Sequence, residues 1–358
     1  IWVLTLFYSP FAFITISRAM EKMDPTLEEA SRVSGASPLR VLWDVTLPLM
    51  APSILAGGLL VFIGAGSAFG IPAIVGMPGN IEVLTTRIVS FVYMGNDSGI
   101  RNATTLAVSL MILANGLLFF MTWFMGRKDY TTIGGKSTRP ALVELGKWKG
   151  LATFLVAVYA FIAVILPLGS IVITSFMVSM SKGLSLDNFG FDAWIPVLEN
   201  SQYLDCIWRS LGYAFIAATI GTILSLFVAY LSVKTHVKGR SLPDLLVMVG
   251  GSTPSVVIAL ALIITFSGNY GLNLYSTMWI LIVSYLVKYM TMSVRTIAAS
   301  LSQVSSSLEE AGLNSGAGWL RICKDIIMPL IAPSIVAGWF LIFMPSFYEL
   351  TMSNLLYG

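Results

Sequence analysis

Long apolar runs separated by short polar segments dominate this chain. A helix needs about 20 apolar residues to cross the hydrocarbon core of a bilayer, and eight stretches reach or approach that length. They cover residues 1–19, 52–76, 102–126, 150–176, 208–232, 243–267, 276–297 and 333–356. Several contain Gly or Pro, which membrane bundles tolerate because neighbouring helices satisfy the freed backbone groups. The pattern therefore predicts an all-α, polytopic membrane protein with eight spans.

Composition agrees with a membrane-embedded chain. Of the 358 residues, 56% are hydrophobic and 11% are charged, and the mean hydropathy is +0.83. A soluble domain carries about 25% charged residues. A net charge of +3 is too small to favour nucleic acid, so we predict membrane lipid and no nucleic acid as partner. Cys206 and Cys323 have no metal or redox spacing, and no nucleophile, base or metal cluster is apparent. We therefore predict no enzymatic activity, no cofactor and no metal site.

Lys and Arg are distributed unevenly among the segments that connect the spans. One alternating set of connections holds 16 of the 21 basic residues. The opposite set holds only Arg87, Arg101, Lys182 and Arg209. Cytoplasmic loops of membrane proteins carry the excess of Lys and Arg. The richer side is therefore predicted to be cytoplasmic.

Two of the predicted cytoplasmic loops have nearly the same sequence. Residues 27–57 read LEEASRVSGASPLRVLWDVTLPLMAPSILAG, and residues 308–338 read LEEAGLNSGAGWLRICKDIIMPLIAPSIVAG. At a constant offset of 281, 18 of these 31 positions are identical without a gap. The identities include charged and turn-forming residues, which chance similarity between apolar segments does not explain. The chain is therefore predicted to contain two homologous halves in tandem.

Each loop carries the signals of a rigid helix–turn–helix. Thr26-x-x-Glu29 and Ser307-x-x-Glu310 have the form of capping boxes that open a short helix. Gly35 and Gly316 are predicted to break that helix, and a second helix is predicted to begin near Ser37-Pro38. The prolines predicted to end the second helix are Pro48, Pro52, Pro329 and Pro333. Two such loops on one side of the membrane predict two identical partner surfaces.

These residues resemble the signature loop of the permease subunits of binding-protein-dependent ABC importers. That signature is Glu-Ala-Ala, three residues, Gly, and, after nine more, Ile-x-Leu-Pro. The first loop has Glu29-Ala30-Ser31, Gly35 and Val45-Thr46-Leu47-Pro48. The second has Glu310-Ala311-Gly312, Gly316 and Ile326-Ile327-Met328-Pro329. The departures are mild: Ser31 and Gly312 occupy the third position, and Met328 replaces leucine.

The resemblance implies a fold, a domain division and partners. The expected fold is a tandem repeat of the type I, MetI-like helical bundle, with a first half at 1–126, a cytoplasmic linker at 127–149 and a second half at 150–358. Each half of such permeases has six spans, so this chain is expected to be a fragment lacking three at its start and one at its end. The implied partners are two copies of a separate ABC ATPase, which hydrolyses the ATP, and a solute-binding protein. The implied location is the bacterial inner membrane.

The resemblance also implies which residues couple the chain to its ATPase. They are Glu28, Glu29, Ala30, Gly35, Ala36 and Pro48 in the first loop, and Glu309, Glu310, Ala311, Gly316, Ala317 and Pro329 in the second. The glycines are expected to permit the sharp turn. Glu29 and Glu310 are expected either to cap the short helix or to pair with the ATPase surface.

Shorter patterns resemble the ferric-iron type of these permeases. They are Phe69-Gly70-Ile71-Pro72, Tyr130 to Lys136 (YTTIGGK) with Arg139-Pro140, and Tyr348-Glu349-Leu350-Thr351. They imply import of ferric iron from a periplasmic or extracellular binding protein. Relatives with the same architecture carry thiamine, polyamines or phosphonates, and these cargoes remain open at this point.

Ionisable residues inside spans are candidates for the transport pathway, since charge is costly within the membrane. Lys288 lies within one predicted span and is either functional or structural. Glu349, near the predicted outer mouth, either lines the substrate entrance or is solvated. The outer segment 177–207, with Trp194 and the adjacent Trp208, is predicted to dock the binding protein or to lie as an interfacial helix.

Two competing functions are less well supported by the residues. Gly135-Lys136-Ser137 resembles the end of a phosphate-binding loop, but Tyr130 stands where that loop needs glycine. An ion-coupled secondary transporter would share the composition. It would need several carboxylates or broken helices at mid-membrane, and the spans offer little beyond Lys288.

Overall fold

The computed structural model describes residues 1–21, 23–126, 145–268 and 270–357. The motifs at 130–136 and 139–140, the Gly135-Lys136-Ser137 run and most of the predicted linker 127–149 lie outside these residues. Within them, strand pairing is limited to the isolated bridges between Met177 and Phe189 and between Ser267 and Asn273. The predicted all-α class is therefore confirmed.

Fourteen helices of the described residues are used below, numbered in chain order. They are α1 Trp2–Glu21, α2 Pro25–Val33, α3 Pro38–Ser67, α4 Leu84–Tyr93, α5 Asp97–Gly126, α6 Gly146–Ser175, α7 Trp194–Glu199, α8 Ser201–Lys234, α9 Ser241–Ser252, α10 Ser255–Phe266, α11 Met278–Leu301, α12 Ser306–Asn314, α13 Trp319–Phe347 and α14 Thr351–Leu356.

Seven of these helices are long and apolar enough to cross a membrane: α1, α3, α5, α6, α8, α11 and α13. The predicted span 243–267 is not one helix. It consists of α9 and α10, which meet at an angle of 111°. Pro254 has no N–H to continue α9, and the preceding Gly250-Gly251 pair has little helix propensity. Counted as one broken span, the pair brings the total to the predicted eight.

The prediction that prolines end the second loop helices is wrong. In α3 and α13 the chain passes through a five-residue π-helical turn, Leu42–Thr46 and Cys323–Ile327, and continues without a break. Pro48 and Pro329 follow that wider turn as the second residue of the resumed α-helix. Their missing N–H groups fall where the hydrogen-bond ladder is already shifted, so the helix bends rather than ends.

The last predicted span, 333–356, is also interrupted. Helix α13 ends at Phe347, two residues after Pro345, and the separate short helix α14 follows. Two backbone groups at the start of α14 are satisfied by Glu349, as described below. Glu349 therefore lies in a turn between helices rather than within a straight span.

The described chain divides into two compact units, and the first comprises residues 1–66 and 119–206. In this unit α1 packs closely on α3. A Cβ atom on Gly57 would lie 3.3 Å from the Cα atom of Ala12, and one on Gly64 would lie 2.6 Å from the ring of Tyr8. Small residues let membrane helices approach in this way. A hydrogen bond of 2.6 Å between the hydroxyls of Ser9 and Tyr159 connects α1 to α6.

The second unit comprises residues 67–118 and 207–358 and contains the larger buried core. Helices α8, α11 and α13 contact one another through small residues. A Cβ atom on Gly221 would lie 2.7 Å from the side chain of Ile342, and one on Gly338 would lie 2.6 Å from Ser293 Oγ. Side chains from several helices are fully buried, including Ile88, Leu260, Ile280, Ile297, Ile331 and Met352.

Candidate functional site: two matching helical hooks

The two signature loops fold as helix–turn–helix elements, as predicted. We call residues 25–48 hook 1 and residues 306–329 hook 2. Each consists of a nine-residue helix, α2 or α12, a tight turn, and the first turns of α3 or α13. Hook 1 lies in the first compact unit and hook 2 in the second.

The short helices begin two residues earlier than the predicted capping boxes. Asp24 caps α2: its carboxylate accepts the backbone N–H of Thr26 at 3.0 Å and the Thr26 hydroxyl at 2.8 Å. These hydrogen bonds lower the pKa of Asp24. Ser305 plays the same part in hook 2 by accepting the N–H of Ser307. Pro25 explains the shift in hook 1, because its fixed φ suits the first helical position and makes Asp24 the cap.

The turns of the two hooks have the same hydrogen-bond geometry. Gly35 and Gly316 have φ values of +86° and +79°, in the left-handed region that favours glycine. The N–H of Gly35 bonds to the carbonyl of Arg32, and the N–H of Ala36 bonds to that of Ser31. Gly316 and Ala317 repeat the pattern with Leu313 and Gly312. These are Schellman motifs, so the glycines break the helices as predicted, and the alanines close the turn.

Each turn leads into the long helix through a side chain buried at the same position. Val41 in hook 1 and Ile322 in hook 2 are 2% and 4% exposed. The second helix of hook 1 begins where predicted, with the Ser37 hydroxyl accepting the N–H of Arg40 at 3.4 Å. Hook 2 has Gly318 at the equivalent cap and no side-chain hydrogen bond there.

The paired glutamates divide into an inner and an outer residue. The inner ones, Glu28 and Glu309, are half-buried and bonded within the protein. The Glu28 carboxylate accepts the Thr46 hydroxyl at 2.7 Å, and the Glu309 carboxylate lies 2.6 Å from Lys234 Nζ. The outer ones, Glu29 and Glu310, are exposed and lie beyond the first turn of their helices. Because helix-dipole effects fade within that turn, the capping alternative for Glu29 and Glu310 loses its basis.

Both hooks expose the same apolar and charged side chains after the turn. Leu39 is 69% exposed, and Leu320, at the equivalent position, is 75% exposed. In the next turn Arg40 pairs with Asp44 at 3.2 Å, and Arg321 pairs with Asp325 at 3.7 Å. The two leucines were not among the residues predicted from the sequence. Their signal was an identical apolar residue in the polar part of both loops.

The predicted pathway residue Lys288 lies at the break between α9 and α10. Its ammonium group donates hydrogen bonds to the carbonyl oxygens of Gly251 at 3.1 Å and Thr253 at 2.7 Å. The break removes the partners that a continuous helix would have given these carbonyls. Lys288 therefore has a structural role, and lining the pathway stays a prediction.

Replacing Lys288 with Met is expected to destabilise the protein. Hydrogen bonds from a charged donor contribute about 1.5–3 kcal/mol, and the variant would leave the two carbonyls without that donor. The test is the denaturation midpoint of the purified protein in detergent, with the exposed Lys238→Met as control. Equal midpoints for the wild-type protein and both variants would contradict the assignment.

The second predicted pathway residue, Glu349, organises the turn before α14. Its carboxylate accepts the backbone N–H groups of Met352 at 2.7 Å and Ser353 at 3.1 Å. The hydroxyl of Ser353 also forms a 2.8 Å hydrogen bond with that of Tyr285 on α11. Lys288 and Glu349 both lie in the second compact unit.

The segment 177–207, predicted to lie on the outer side, contains an ordered loop. Asn188 is fully buried, and its side-chain amide donates to the carbonyls of Ser179 at 2.7 Å and Gly183 at 2.8 Å. Trp194 begins the short helix α7 and is 40% exposed, and Trp208, in α8, is 69% exposed. Docking of a binding protein at this segment stays a prediction.

Together these features define a polytopic α-helical membrane protein in which the same hook occurs twice. The sequence profile of the family described as "Binding-protein-dependent transport system inner membrane component" matches residues 1–128 and 221–358, more than half of the chain. The chain belongs to this family.

Several curated proteins are similar to the chain. A putative ferric transport system permease protein of Haemophilus influenzae, FbpB 1, is 28% identical over 93% of this chain and 52% of its own length. The ferric transport system permease protein FbpB of Actinobacillus pleuropneumoniae is 27% identical over 93% and 48%. The spermidine/putrescine transport system permease protein PotC of Escherichia coli is 25% identical over 57% and 75%. The chain spans about half the length of these two ferric relatives.

Proposed function

We propose that this chain is the transmembrane part of an ATP-driven importer and that its hooks bind two copies of a separate ATPase. The repetition of one exposed surface carries the proposal. Hook 1 presents Leu39 and the Arg40–Asp44 pair, and hook 2 presents Leu320 and the Arg321–Asp325 pair. Two equal surfaces suit two copies of one partner.

The chemistry of the hooks indicates how such a partner would bind. A short helix with an exposed apolar residue can lie in a groove of another protein, which buries the leucine. The exposed carboxylates of Glu29 and Glu310 stand beside it and are available to pair with a cation of the ATPase. Of the two alternatives for these glutamates, direct pairing is the one we propose.

The proposed location is the bacterial inner membrane, with both hooks in the cytoplasm. The orientation rests on the excess of Lys and Arg in the connections that carry the hooks. In this arrangement ATP is hydrolysed by the partner and not by this chain. The stoichiometry would be two ATPase subunits for each tandem chain.

The proposed cargo is ferric iron, delivered by a solute-binding protein outside the cytoplasm. Two relatives that are similar over 93% of this chain are named ferric transport permeases. The polyamine permease PotC is similar over a smaller share, 57%. The segment 177–207, with its ordered loop, is the proposed docking surface for the binding protein.

Reconstitution of the chain with its ATPase and binding protein in liposomes tests the function. We expect uptake of labelled ferric iron that requires ATP and the binding protein, and no uptake of labelled spermidine, thiamine or phosphonate. ATP-dependent uptake of one of the other solutes would replace the cargo. Uptake driven by an ion gradient without ATPase would instead identify a secondary transporter.

Replacing Glu349 with Gln tests its predicted place on the pathway. Glutamine keeps an oxygen that can accept the N–H groups of Met352 and Ser353, so the turn should persist while the negative charge is lost. We expect slower uptake at an unchanged denaturation midpoint. Undiminished uptake would leave Glu349 with the structural role alone.

A further inference from the structure

Hook 2 is attached to the end of a membrane helix by two side-chain contacts. The last turns of α8 carry Tyr230 and Lys234, one helical turn apart. Lys234 Nζ lies 2.6 Å from the Glu309 carboxylate and donates to the Val304 carbonyl at 2.8 Å. The Trp319 indole N–H donates to the Tyr230 hydroxyl at 2.7 Å. One face of α8 thus holds both helices of hook 2, α12 through Glu309 and α13 through Trp319.

The contact between Lys234 and Glu309 is shielded from water, which makes it stronger than a surface ion pair, whereas Trp319 is 57% exposed. The side chains of Lys234 and Glu309 are 11% and 24% exposed. The rings of Tyr230 and Trp319 meet edge to face with centroids 5.8 Å apart. A charge-assisted hydrogen bond in such surroundings resists separation, because parting the charges would leave one of them desolvated without a partner.

Hook 1 satisfies the equivalent glutamate differently. Glu28 bonds to Thr46 within the hook itself, 2.7 Å away, and lies 3.8 Å from Arg32. At the position equivalent to Thr46, hook 2 has Ile327, which is 3% exposed and offers no hydroxyl. The position equivalent to Trp319 is Pro38, which has no N–H to donate. Of the two hook residues that contact α8, Glu309 has a counterpart in hook 1 and Trp319 is particular to hook 2.

Helix α8 is also packed on α13 far from the hook. The Trp339 indole N–H donates to the Thr219 hydroxyl at 3.2 Å, and its ring meets Phe215 at 5.5 Å. Gly221 brings α8 close to Ile342 on the same helix. Helix α8 is therefore held to α13 at two separate places. One is this packing contact, and the other is at hook 2, where Lys234 and Tyr230 contact Glu309 and Trp319.

We propose that Lys234 and Tyr230 are positioning residues that form a clasp, through which movement of hook 2 is transmitted directly to α8. The proposal rests on the proposed function. A braced element moves as a unit, so force applied to hook 2 reaches α8 at its end as well as through α13. Without the clasp, hook 2 can turn relative to α8, and ATP hydrolysis proceeds with less transport.

Charge exchange across the clasp tests the proposal in the reconstituted complex, with ATP hydrolysis and uptake measured together. We expect Lys234→Glu and Glu309→Lys each to lower uptake per ATP hydrolysed by about ten-fold, within the range of coupling between linked sites. The double variant K234E/E309K should recover most of the wild-type uptake per ATP hydrolysed. Lys234→Glu combined with Glu28→Lys should not recover this ratio, because the introduced lysine lies in hook 1 and cannot pair with residue 234. Lys238→Glu, an exposed cation nearby, should match the wild-type protein.

Two milder variants keep the test decisive if the charge reversals fail to fold. Tyr230→Phe removes only the hydroxyl that accepts from Trp319, and Lys234→Arg keeps the charge. The first should lower the ratio and the second should retain it. Wild-type ratios in K234E and Y230F, or equal rescue by Glu28→Lys, would overturn the clasp.

A failure of the proposed ATP-driven function would give a different result from a failure of the clasp. In that case the wild-type complex itself would show no ATP-dependent uptake, whatever the state of the clasp. A double-mutant cycle on the denaturation midpoints of K234E and E309K would then decide the contact. Additive effects would overturn the clasp, and a coupling between the two sites would support it.

Discussion

Replacing both Leu39 and Leu320 with Glu is expected to abolish assembly with the ATPase. These leucines are 69% and 75% exposed in the chain alone and stand at equivalent positions of the two hooks. Full burial of a leucine contributes about 1.5–3 kcal/mol. Each loss should therefore weaken binding by about ten-fold to a hundred-fold, since 1.4 kcal/mol corresponds to ten-fold. The measurement is co-purification and titration of the ATPase against the chain in detergent.

The same hook supplies a matched control for the leucine variants. Val33 is 90% exposed, but its equivalent in hook 2 is Asn314, so it is not part of the shared surface. Val33→Asn should leave ATPase binding unchanged. Each single leucine variant should retain binding through the other hook. Full assembly of the double variant would show that the partner does not bury these residues.

Replacing Gly35 and Gly316 with Val is expected to uncouple ATP hydrolysis from uptake. Their φ values of +86° and +79° are unfavourable for a β-branched residue and cost about 1–3 kcal/mol each. A Cβ atom at either position would meet no atom within 4 Å, so the cost is conformational and not steric crowding by neighbours. Relief of that strain would reorient the first helix of the hook against the second.

Asparagine provides the control for the glycine variants, because it tolerates the left-handed region. Gly35→Asn with Gly316→Asn should keep most of the uptake per ATP hydrolysed. The measurement is the same paired assay of hydrolysis and uptake in liposomes. Normal coupling in the valine pair, or equal loss in the asparagine pair, would remove the turn from the mechanism.

The sequence predicted the helical class, the spans and the hooks because those features depend on local signals. The lengths of the apolar runs, the repeat and the turns at Gly35 and Gly316 can all be read directly from the sequence. The course of the chain at prolines could not. Pro48 and Pro329 were expected to end helices, yet each helix continues through its proline after a π-helical turn. The outcome depends on the hydrogen-bond register of the preceding turn, which composition does not reveal.

The break in the span 243–267 could be predicted in part from the sequence. Gly250-Gly251-Ser252-Thr253-Pro254 is a strong turn signal within an apolar stretch, and it marks the bend of 111° between α9 and α10. The hydrogen-bond partners of Lys288 could not be predicted, because they are backbone carbonyls 37 and 35 residues away in the sequence. The same holds for Glu309 and Lys234, which are 75 residues apart. Contacts of this kind follow from packing.

The measurement that tests the central claim most directly is the sidedness of the two hooks. Ser34 and Ser315 are exposed and equivalent, so each can be changed to Cys after replacement of Cys206 and Cys323 by Ser. A membrane-impermeant thiol reagent applied to intact cells should label neither position, and permeabilised cells should be labelled at both. Labelling of one hook from outside and of the other only after permeabilisation would contradict a pair of hooks driven by one motor.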